Sequence, residues 1–129
     1  MVDSRCKMYR SAMQVFVKDS GNALKFYEQA FDAAALSVYP NTDGTLMHSE
    51  LDVYGQIMMV SELVGEEADS GNTMMYCLHF GKGKESVVTR IYEKLKDGAR
   101  IVAPLEPCVY SPLMFNLIDR YCVRWCVFI

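Results

Sequence analysis

Apolar residues recur at intervals of three and four along residues 21–31, which predicts an amphipathic helix about three turns long. A short apolar run at Met13–Val17 precedes this helix and predicts a strand, with residues 18–22 as the turn between them. In that turn, Ser20 or Asn22 is available to cap the first helical amides. The apolar stripe of the helix, which needs a sheet to pack against, is formed by Ala23, Leu24, Tyr27, Ala30 and Phe31.

Three more strands are predicted after this helix. Residues 36–39 are β-prone and end at the turn residues 40–44, and residues 46–53 and 56–63 form a hairpin about Tyr54 and Gly55. The more apolar face of the first hairpin strand is expected to pack against the helix. Side chains alternate across this strand, so one face carries Met47, Ser49, Leu51 and Val53 and the other carries Leu46, His48, Glu50 and Asp52.

The same order of patterns returns after an acidic segment at residues 64–72, which has no periodicity and is interpreted as a linker. The second helix carries the stripe Val87, Val88, Ile91 and Leu95 and ends at Asp97 and Gly98. The predicted elements of this half are a strand at 74–80, a helix at 86–96, a short strand at 101–103, a proline-containing loop at 104–112, and hairpin strands at 114–118 and 122–129.

Both halves therefore follow the order strand, helix, strand, strand, strand. We interpret residues 1–129 as a single domain, with module one at about residues 10–63 and module two at about residues 73–129. Two such modules predict an α+β fold, in which their sheets form one curved, cup-shaped mixed sheet backed by the helices. The pattern alone also permits an ordinary ferredoxin-like α+β sandwich.

The composition of the chain argues against several classes of function. The net charge is −3 and Lys and Arg form no cluster, which argues against nucleic acid as a partner. The N-terminus lacks a signal-peptide core, and no stretch reaches the roughly twenty apolar residues of a membrane span. The five cysteines form no CxxC pair, so we expect reduced thiols and a cytoplasmic location without membrane contact.

Several phrases of the sequence are similar to a known family. They are GNALKFYEQAF at 21–31, LMHSEL at 46–51, QIMMVSE at 56–62, KLKDGA at 94–99 and DRYCVRW at 119–125. Together they resemble the PhnB-like branch of the vicinal oxygen chelate superfamily, which includes glyoxalase I, extradiol dioxygenases and bleomycin-resistance proteins. The resemblance implies paired βαβββ modules and a homodimer. The chain departs from the family pattern at Cys122, where glycine is usual, and near Asn116, where another glycine is usual.

The resemblance also implies where a metal would be bound. Metal-dependent members use four His, Glu or Gln side chains, and the corresponding positions here are Ala12, Met59, Met75 and Cys126. None of the four is a usual ligand for Ni, Zn, Fe or Mn, so we expect no metal at the inherited site and no cofactor. The sulfur atoms of Met59, Met75 and Cys126 suit copper(I), or they fill an apolar pocket.

The strand faces opposite the helices are expected to line the cup. They carry few polar groups, which is typical of a small-molecule pocket. Arg124 adds a cation that could receive an anionic ligand. The predicted ligand-binding residues are Gln14, Phe16, Met59, Ser61, Cys77, His79 and Arg124, with Ile57 beside them. Trp125 is expected in the core against Tyr92 or Phe26.

His48 and Glu50 are the candidate catalytic residues. They are two positions apart on one strand, so they project to the same side about 7 Å apart at Cα. A carboxylate beside an imidazole orients it, which suits general acid or base catalysis. The competing interpretation is a solvated, half-exposed strand face.

Two functions follow from these observations. The first is a metal-free protein that binds a small molecule in the cup, as a sequestering or carrier protein would. The alternative is a lyase, isomerase or dioxygenase that depends on a metal or on His48 and Glu50.

Overall fold

The computed structural model describes residues 5–129 and shows the predicted order of elements twice. No helix within these residues is both long enough and apolar enough to cross a membrane. The first module contains β1 (Met13–Val17), α1 (Ser20–Phe31), β2 (Ala35–Pro40), β3 (Leu46–Val53) and β4 (Gln56–Glu62), and the second contains β5 (Tyr76–His79), α2 (Glu85–Leu95), β6 (Arg100–Cys108), β7 (Ser111–Ile118) and β8 (Arg124–Phe128).

Each module forms a four-stranded sheet with the same topology. The strand orders are β1-β4-β3-β2, which we call sheet A, and β5-β8-β7-β6, which we call sheet B. The first strand of each sheet pairs in parallel with the last strand of its module, and the other pairs are antiparallel. In this register Gln14 opposes Met59 in sheet A, and Cys77 opposes Cys126 in sheet B. The two pairs therefore occupy equivalent places.

The helices pack against each other and contribute to one hydrophobic core with both sheets. Trp125 is fully buried there, as predicted, but its predicted neighbours are wrong. Its ring packs against Phe31 at 5.0 Å, Tyr76 at 5.1 Å and Tyr27 at 5.9 Å between centroids. Tyr92 instead contacts Phe115, and Phe26 contacts Tyr27 and Tyr121.

A buried carboxylate joins the first helix to the last hairpin. Asp119 is 3% exposed, and its Oδ2 accepts hydrogen bonds from Tyr27 Oη at 2.6 Å and Trp125 Nε1 at 2.8 Å. Its Oδ1 accepts the backbone amides of Tyr121 at 2.7 Å and Val123 at 3.2 Å. The tyrosine of GNALKFYEQAF and the Asp and Trp of DRYCVRW are thus parts of a single network.

The start of α1 is capped by a distant residue, which corrects the local prediction. Asp19 adopts the left-handed conformation and makes no side-chain cap. Glu62, at the end of β4, accepts hydrogen bonds from the Ser20 amide at 3.0 Å, the Ser20 hydroxyl at 2.9 Å and the Asp19 amide at 3.3 Å. The Ser20 hydroxyl also accepts the Leu46 amide at 2.7 Å. Asn22 only donates to the Asp19 carboxylate.

Two strand predictions are also wrong. The predicted strand 101–103 and loop 104–112 are replaced by one nine-residue strand, β6, with β7 starting at Ser111. β6 tolerates its prolines because it is an edge strand with shifts in its register. At such positions the sheet does not require a hydrogen bond from the backbone nitrogen that proline lacks.

The predicted facing of Met47 is also wrong. Met47 was predicted to face the helix but is 64% exposed, whereas Leu46 is buried. A register shift at Tyr39 and Pro40 interrupts the alternation at that end of β3.

Cys122 occupies a position that favours glycine. Its φ is 68°, in the left-handed region, and its amide donates to the Asp119 carbonyl at 2.9 Å within the β7–β8 turn. We expect Cys122→Gly to raise the free energy of unfolding by about 1 kcal/mol, because glycine adopts this φ without a steric cost.

Denaturant unfolding of Cys122→Gly and Cys122→Ala checks this expectation. The alanine variant removes the sulfur but keeps the strained side chain, so it is expected to match the parent or fall below it. A gain in Cys122→Ala equal to that in Cys122→Gly would show that the sulfur, rather than the backbone conformation, is the cause.

Candidate functional site

The predicted cup residues lie on the sheet faces opposite the core. Val15, Val17, Met58 and Val60 are buried in the core cluster, and the residues that alternate with them project to the other side. Two equivalent rows cross this face: Gln14, Met59 and Glu50 in sheet A, and Cys77, Cys126 and Asn116 in sheet B. Within sheet A, Gln14 Nε2 donates to Ser61 Oγ at 3.2 Å and to the Val15 carbonyl at 3.0 Å.

Two clefts lie where the sheets meet, along their edge strands β1 and β5. The first has a volume of about 660 Å³ and is lined by residues 11–13, 53–54, 56–57 and 74–80. The second has a volume of about 440 Å³ and is lined by Met13, Val15, Phe16, Leu63, parts of the linker, and residues 121–124. Met13, Met74 and Met75 line both.

The predicted ligand-binding residues are divided between these places. Cys77 and His79 line the first cleft, and Phe16 and Arg124 line the second. Gln14, Met59 and Ser61 line neither cleft, although they share the same sheet face. The predicted residues therefore surround the junction of the two sheets without forming one closed pocket.

The four positions where the family resemblance implies metal ligands form two equivalent pairs. Met59 and Cys126 hold matching places in the two sheets, and Ala12 and Met75 each precede the matching residues Gln14 and Cys77 by two positions. Ala12 offers only a methyl group, Met59 and Met75 offer thioethers, and Cys126 offers a thiol. These groups do not fit Ni, Zn, Fe or Mn, which at such a site need imidazole or oxygen donors. Across residues 5–129, no group of three or more His, Cys, Asp or Glu side chains is arranged to hold a metal ion.

The candidate catalytic pair is held by an arginine that the sequence did not indicate. Arg10 Nη1 and Nη2 donate to the two oxygens of Glu50 at 2.7 and 2.9 Å, and His48 Nε2 lies 3.3 Å from Glu50 Oε2. These bonds, chiefly those from Arg10, lower the pKa of Glu50 to about 2. Glu50 is therefore a fixed carboxylate that orients His48, and it is too acidic to be an effective general base at neutral pH.

Removing this arginine should release the carboxylate. We expect Arg10→Ala to raise the pKa of Glu50 from about 2 toward the ordinary glutamate value of about 4.3. Carboxyl-carbon NMR titration of the labelled protein measures this pKa directly. Lys7→Ala, at an exposed position three residues away, is the control and should leave the titration of Glu50 unchanged. An unchanged pKa in Arg10→Ala would contradict the proposed anchoring.

Sulfur atoms gather on the same face of sheet B. Tyr110 Oη lies 3.6 Å from Cys126 Sγ, and Asn116 Nδ2 donates to Met75 Sδ at 3.3 Å. Arg124 Nε donates to the other end of the Asn116 amide at 3.3 Å. The contact with Cys126 raises the pKa of Tyr110 to about 12, and burial raises the pKa of the Cys126 thiol.

No protein-family model and no curated protein sequence matches this chain. Solved structures match over nearly its whole length. PhnB protein from Bacillus cereus has a TM-score of 0.76 at 19% identity, covering 95% of this chain and 98% of that one. PA1353 from Pseudomonas aeruginosa has a TM-score of 0.78 at 17% identity, covering 94% and 97%. Fosfomycin resistance protein FosX from Listeria monocytogenes has a TM-score of 0.68 at 15% identity, covering 92% and 90%.

These neighbours are members of the vicinal oxygen chelate superfamily, so the fold implied by the sequence resemblance is confirmed. The chain has the glyoxalase/bleomycin resistance fold of paired βαβββ modules, and the ferredoxin-like alternative is excluded. A mutant of FosX has also been solved with Mn(II) and 1S,2S-dihydroxypropylphosphonic acid. At these identities the similarity concerns the fold alone.

Proposed function

We propose that this protein binds a small molecule in the first cleft, without a divalent metal at the position that metal-dependent relatives use. The observation that carries this proposal is the cleft of about 660 Å³ at the junction of the two sheets. Its volume lies within the range of about 300–1,000 Å³ that is usual for ligand sites.

The lining of the cleft presents polar and apolar surface to a ligand in about equal measure. One end is walled by Tyr54 and Phe80, whose rings meet edge to face at 4.9 Å between centroids. Met75 and Ile57 add apolar surface, and His79 offers a hydrogen-bonding group at the end of β5. Apolar surface beside hydrogen-bonding groups suits a ligand that carries both apolar and polar parts.

Thermal shift and equilibrium titration with a panel of aromatic and anionic small molecules test the proposal. The protein is kept in chelator and thiol reductant, so that any binding is independent of metal. We expect at least one class of compound to stabilise the parent protein. Failure of every compound to do so would overturn the proposal.

A pair of matched variants locates the binding. Ala12→Trp places a large side chain in the first cleft from an exposed position, and it should weaken binding at least tenfold. Thr89→Trp adds a tryptophan at an exposed position of α2 that lines neither cleft, and it should leave the affinity unchanged. Equal effects of the two substitutions would exclude the first cleft as the site.

The homodimer implied by the family resemblance and the cytoplasmic location expected from the cysteines belong to this proposal. Apolar side chains on the outer edge strands support a dimer, since Leu36 and Val38 on β2 and Ile101 and Val102 on β6 are exposed. Sedimentation velocity distinguishes a dimer from a monomer of 14.7 kDa.

One observation favours the alternative function, an enzyme of lyase, isomerase or dioxygenase type. His48 and Glu50 are in contact, and the Arg10 bonds keep Glu50 in place as the orienting group. Under this alternative His48 is the base. Activity that survives His48→Ala would exclude it as the base, and elemental analysis showing stoichiometric Ni, Zn, Fe or Mn would instead favour a metal-dependent enzyme.

A further inference from the structure

Two free cysteines lie directly opposite each other on neighbouring parallel strands. Cys77 on β5 pairs in register with Cys126 on β8, so both side chains project to the cup face. Neighbouring strands are about 4.7–4.9 Å apart, so the two thiols lie within reach of a shared ligand. Two metal–thiolate bonds of about 2.3 Å require sulfur atoms no more than about 4.6 Å apart. The register therefore places two sulfur donors where one ion can bind both.

A third sulfur, that of Met75, lies on the same face of sheet B. Met75 precedes Cys77 by two residues, and its Sδ accepts a hydrogen bond from Asn116 Nδ2 at 3.3 Å. Asn116 is on β7 and opposes Cys126, while the strand order is β5-β8-β7. The Met75 side chain thus extends from the β5 side across β8, the strand that carries Cys126. Tyr110 contacts Cys126 Sγ and covers it from the β6–β7 turn.

We propose that Cys77, Cys126 and Met75 form a binding site for copper(I). Thiolate and thioether donors select this soft monovalent ion, and a site with two thiolates and one thioether has too few donors for the four-coordinate geometry of structural zinc.

Binding converts two thiols to thiolates. One copper(I) ion and two Cys–SH groups give a dithiolate complex of charge −1 and two released protons, with no change in oxidation state. Arg124 lies two positions before Cys126 on the same face of β8 and provides a nearby positive charge. Copper must be supplied as copper(I), since the site itself provides no reductant.

This site goes beyond the proposed small-molecule function, and the two can fail independently. The small-molecule experiments use chelated, metal-free protein, whereas the copper experiments contain no organic ligand other than the competing chelator. Stabilisation by an organic compound without copper binding would support only the first proposal. Copper binding without such stabilisation would support only the second.

Anaerobic titration with copper(I) against a chromophoric copper(I) chelator tests the site. We expect one copper per chain, two protons released per copper, and an X-ray absorption spectrum with sulfur ligands only. Cys77→Ser should weaken binding at least 100-fold, and it changes the exposed member of the pair, so the fold is kept. Unchanged affinity in Cys77→Ser, or no binding by the parent, would overturn the proposal.

Two controls separate this site from general thiol binding. A Cys6→Ser and Cys122→Ser double variant removes two cysteines outside the pair and should keep the affinity within twofold. Met75→Leu is expected to weaken binding about tenfold, while Met74→Leu, at the neighbouring exposed residue, should not. Equal behaviour of the two methionine variants would remove Met75 from the site.

Discussion

Replacing Asp119 with alanine is expected to lower the free energy of unfolding by about 3–5 kcal/mol, the largest effect of any substitution proposed for this fold. The carboxylate accepts four hydrogen bonds, two from side chains and two from backbone amides. Without it, the hydroxyl of Tyr27 and the indole N–H of Trp125 remain buried without an acceptor. The substitution also removes the hydrogen bond between Tyr27 of α1 and the β7–β8 hairpin, which links the two modules at this point.

Urea unfolding monitored by the fluorescence of Trp125 and by circular dichroism measures this loss. Asp97→Ala is the matched control, because Asp97 is exposed and makes only a 3.7 Å ion pair with Arg120. We expect that control to change stability by less than about 0.5 kcal/mol. Tyr27→Phe, which removes one donor and leaves the carboxylate, should cost about 1–2 kcal/mol. A small effect of Asp119→Ala would mean that water replaces the carboxylate.

The same residue gives a pH dependence with a definite sign. Burial raises the pKa of Asp119 in the folded protein, although its hydrogen bonds act in the opposite direction. The folded state then binds more protons than the unfolded state, so the contribution of Asp119 is most favourable at low pH. It decreases as the pH rises from the unfolded value of about 3.9 through the raised folded pKa. The difference in stability between the parent and Asp119→Asn should therefore decrease over that interval, and an increase would contradict the raised pKa.

Local periodicity was sufficient to predict most of the fold. The helical stripes ending at Phe31 and Leu95 and the hairpin at Tyr54 and Gly55 are signals contained in a few adjacent residues. Both turn residues adopt positive φ, as a two-residue hairpin requires. The length of β6 could not be predicted in this way, because Pro104 is compatible with a strand only when that strand is an edge. Which strand forms an edge is a property of the assembled sheet.

The candidate site was less predictable for the same reason. Alternation along β1 and β4 correctly assigned Gln14 and Met59 to the face opposite the core. The clefts, however, lie at the junction of two sheets, whose relative placement no local pattern specifies. The partner of Glu50 is 40 residues away at Arg10, in a segment without periodicity. Contacts of this kind arise from tertiary packing and leave no signal in the spacing of residues.

Replacing Glu62 with alanine is expected to lower the free energy of unfolding by about 2–3 kcal/mol. Its carboxylate is the acceptor for the first amides of α1, at Asp19 and Ser20, and for the Ser20 hydroxyl. Ser20 is fully buried, so its amide cannot turn to water when this acceptor is removed. An ordinary N-cap contributes about 1 kcal/mol, but here a charged group also joins β4 to the start of the helix.

Thermal and urea unfolding of three variants separates these contributions. Glu62→Gln keeps an acceptor oxygen but removes the charge, so it should lose about 1 kcal/mol, less than Glu62→Ala. Glu66→Ala, at an exposed linker position four residues later, should have almost no effect. If Glu62→Ala is as stable as Glu66→Ala, the helix is capped by water. In that case Gly21, whose added Cβ would lie 2.9 Å from the Gly44 carbonyl oxygen, would be the stronger constraint on where α1 begins.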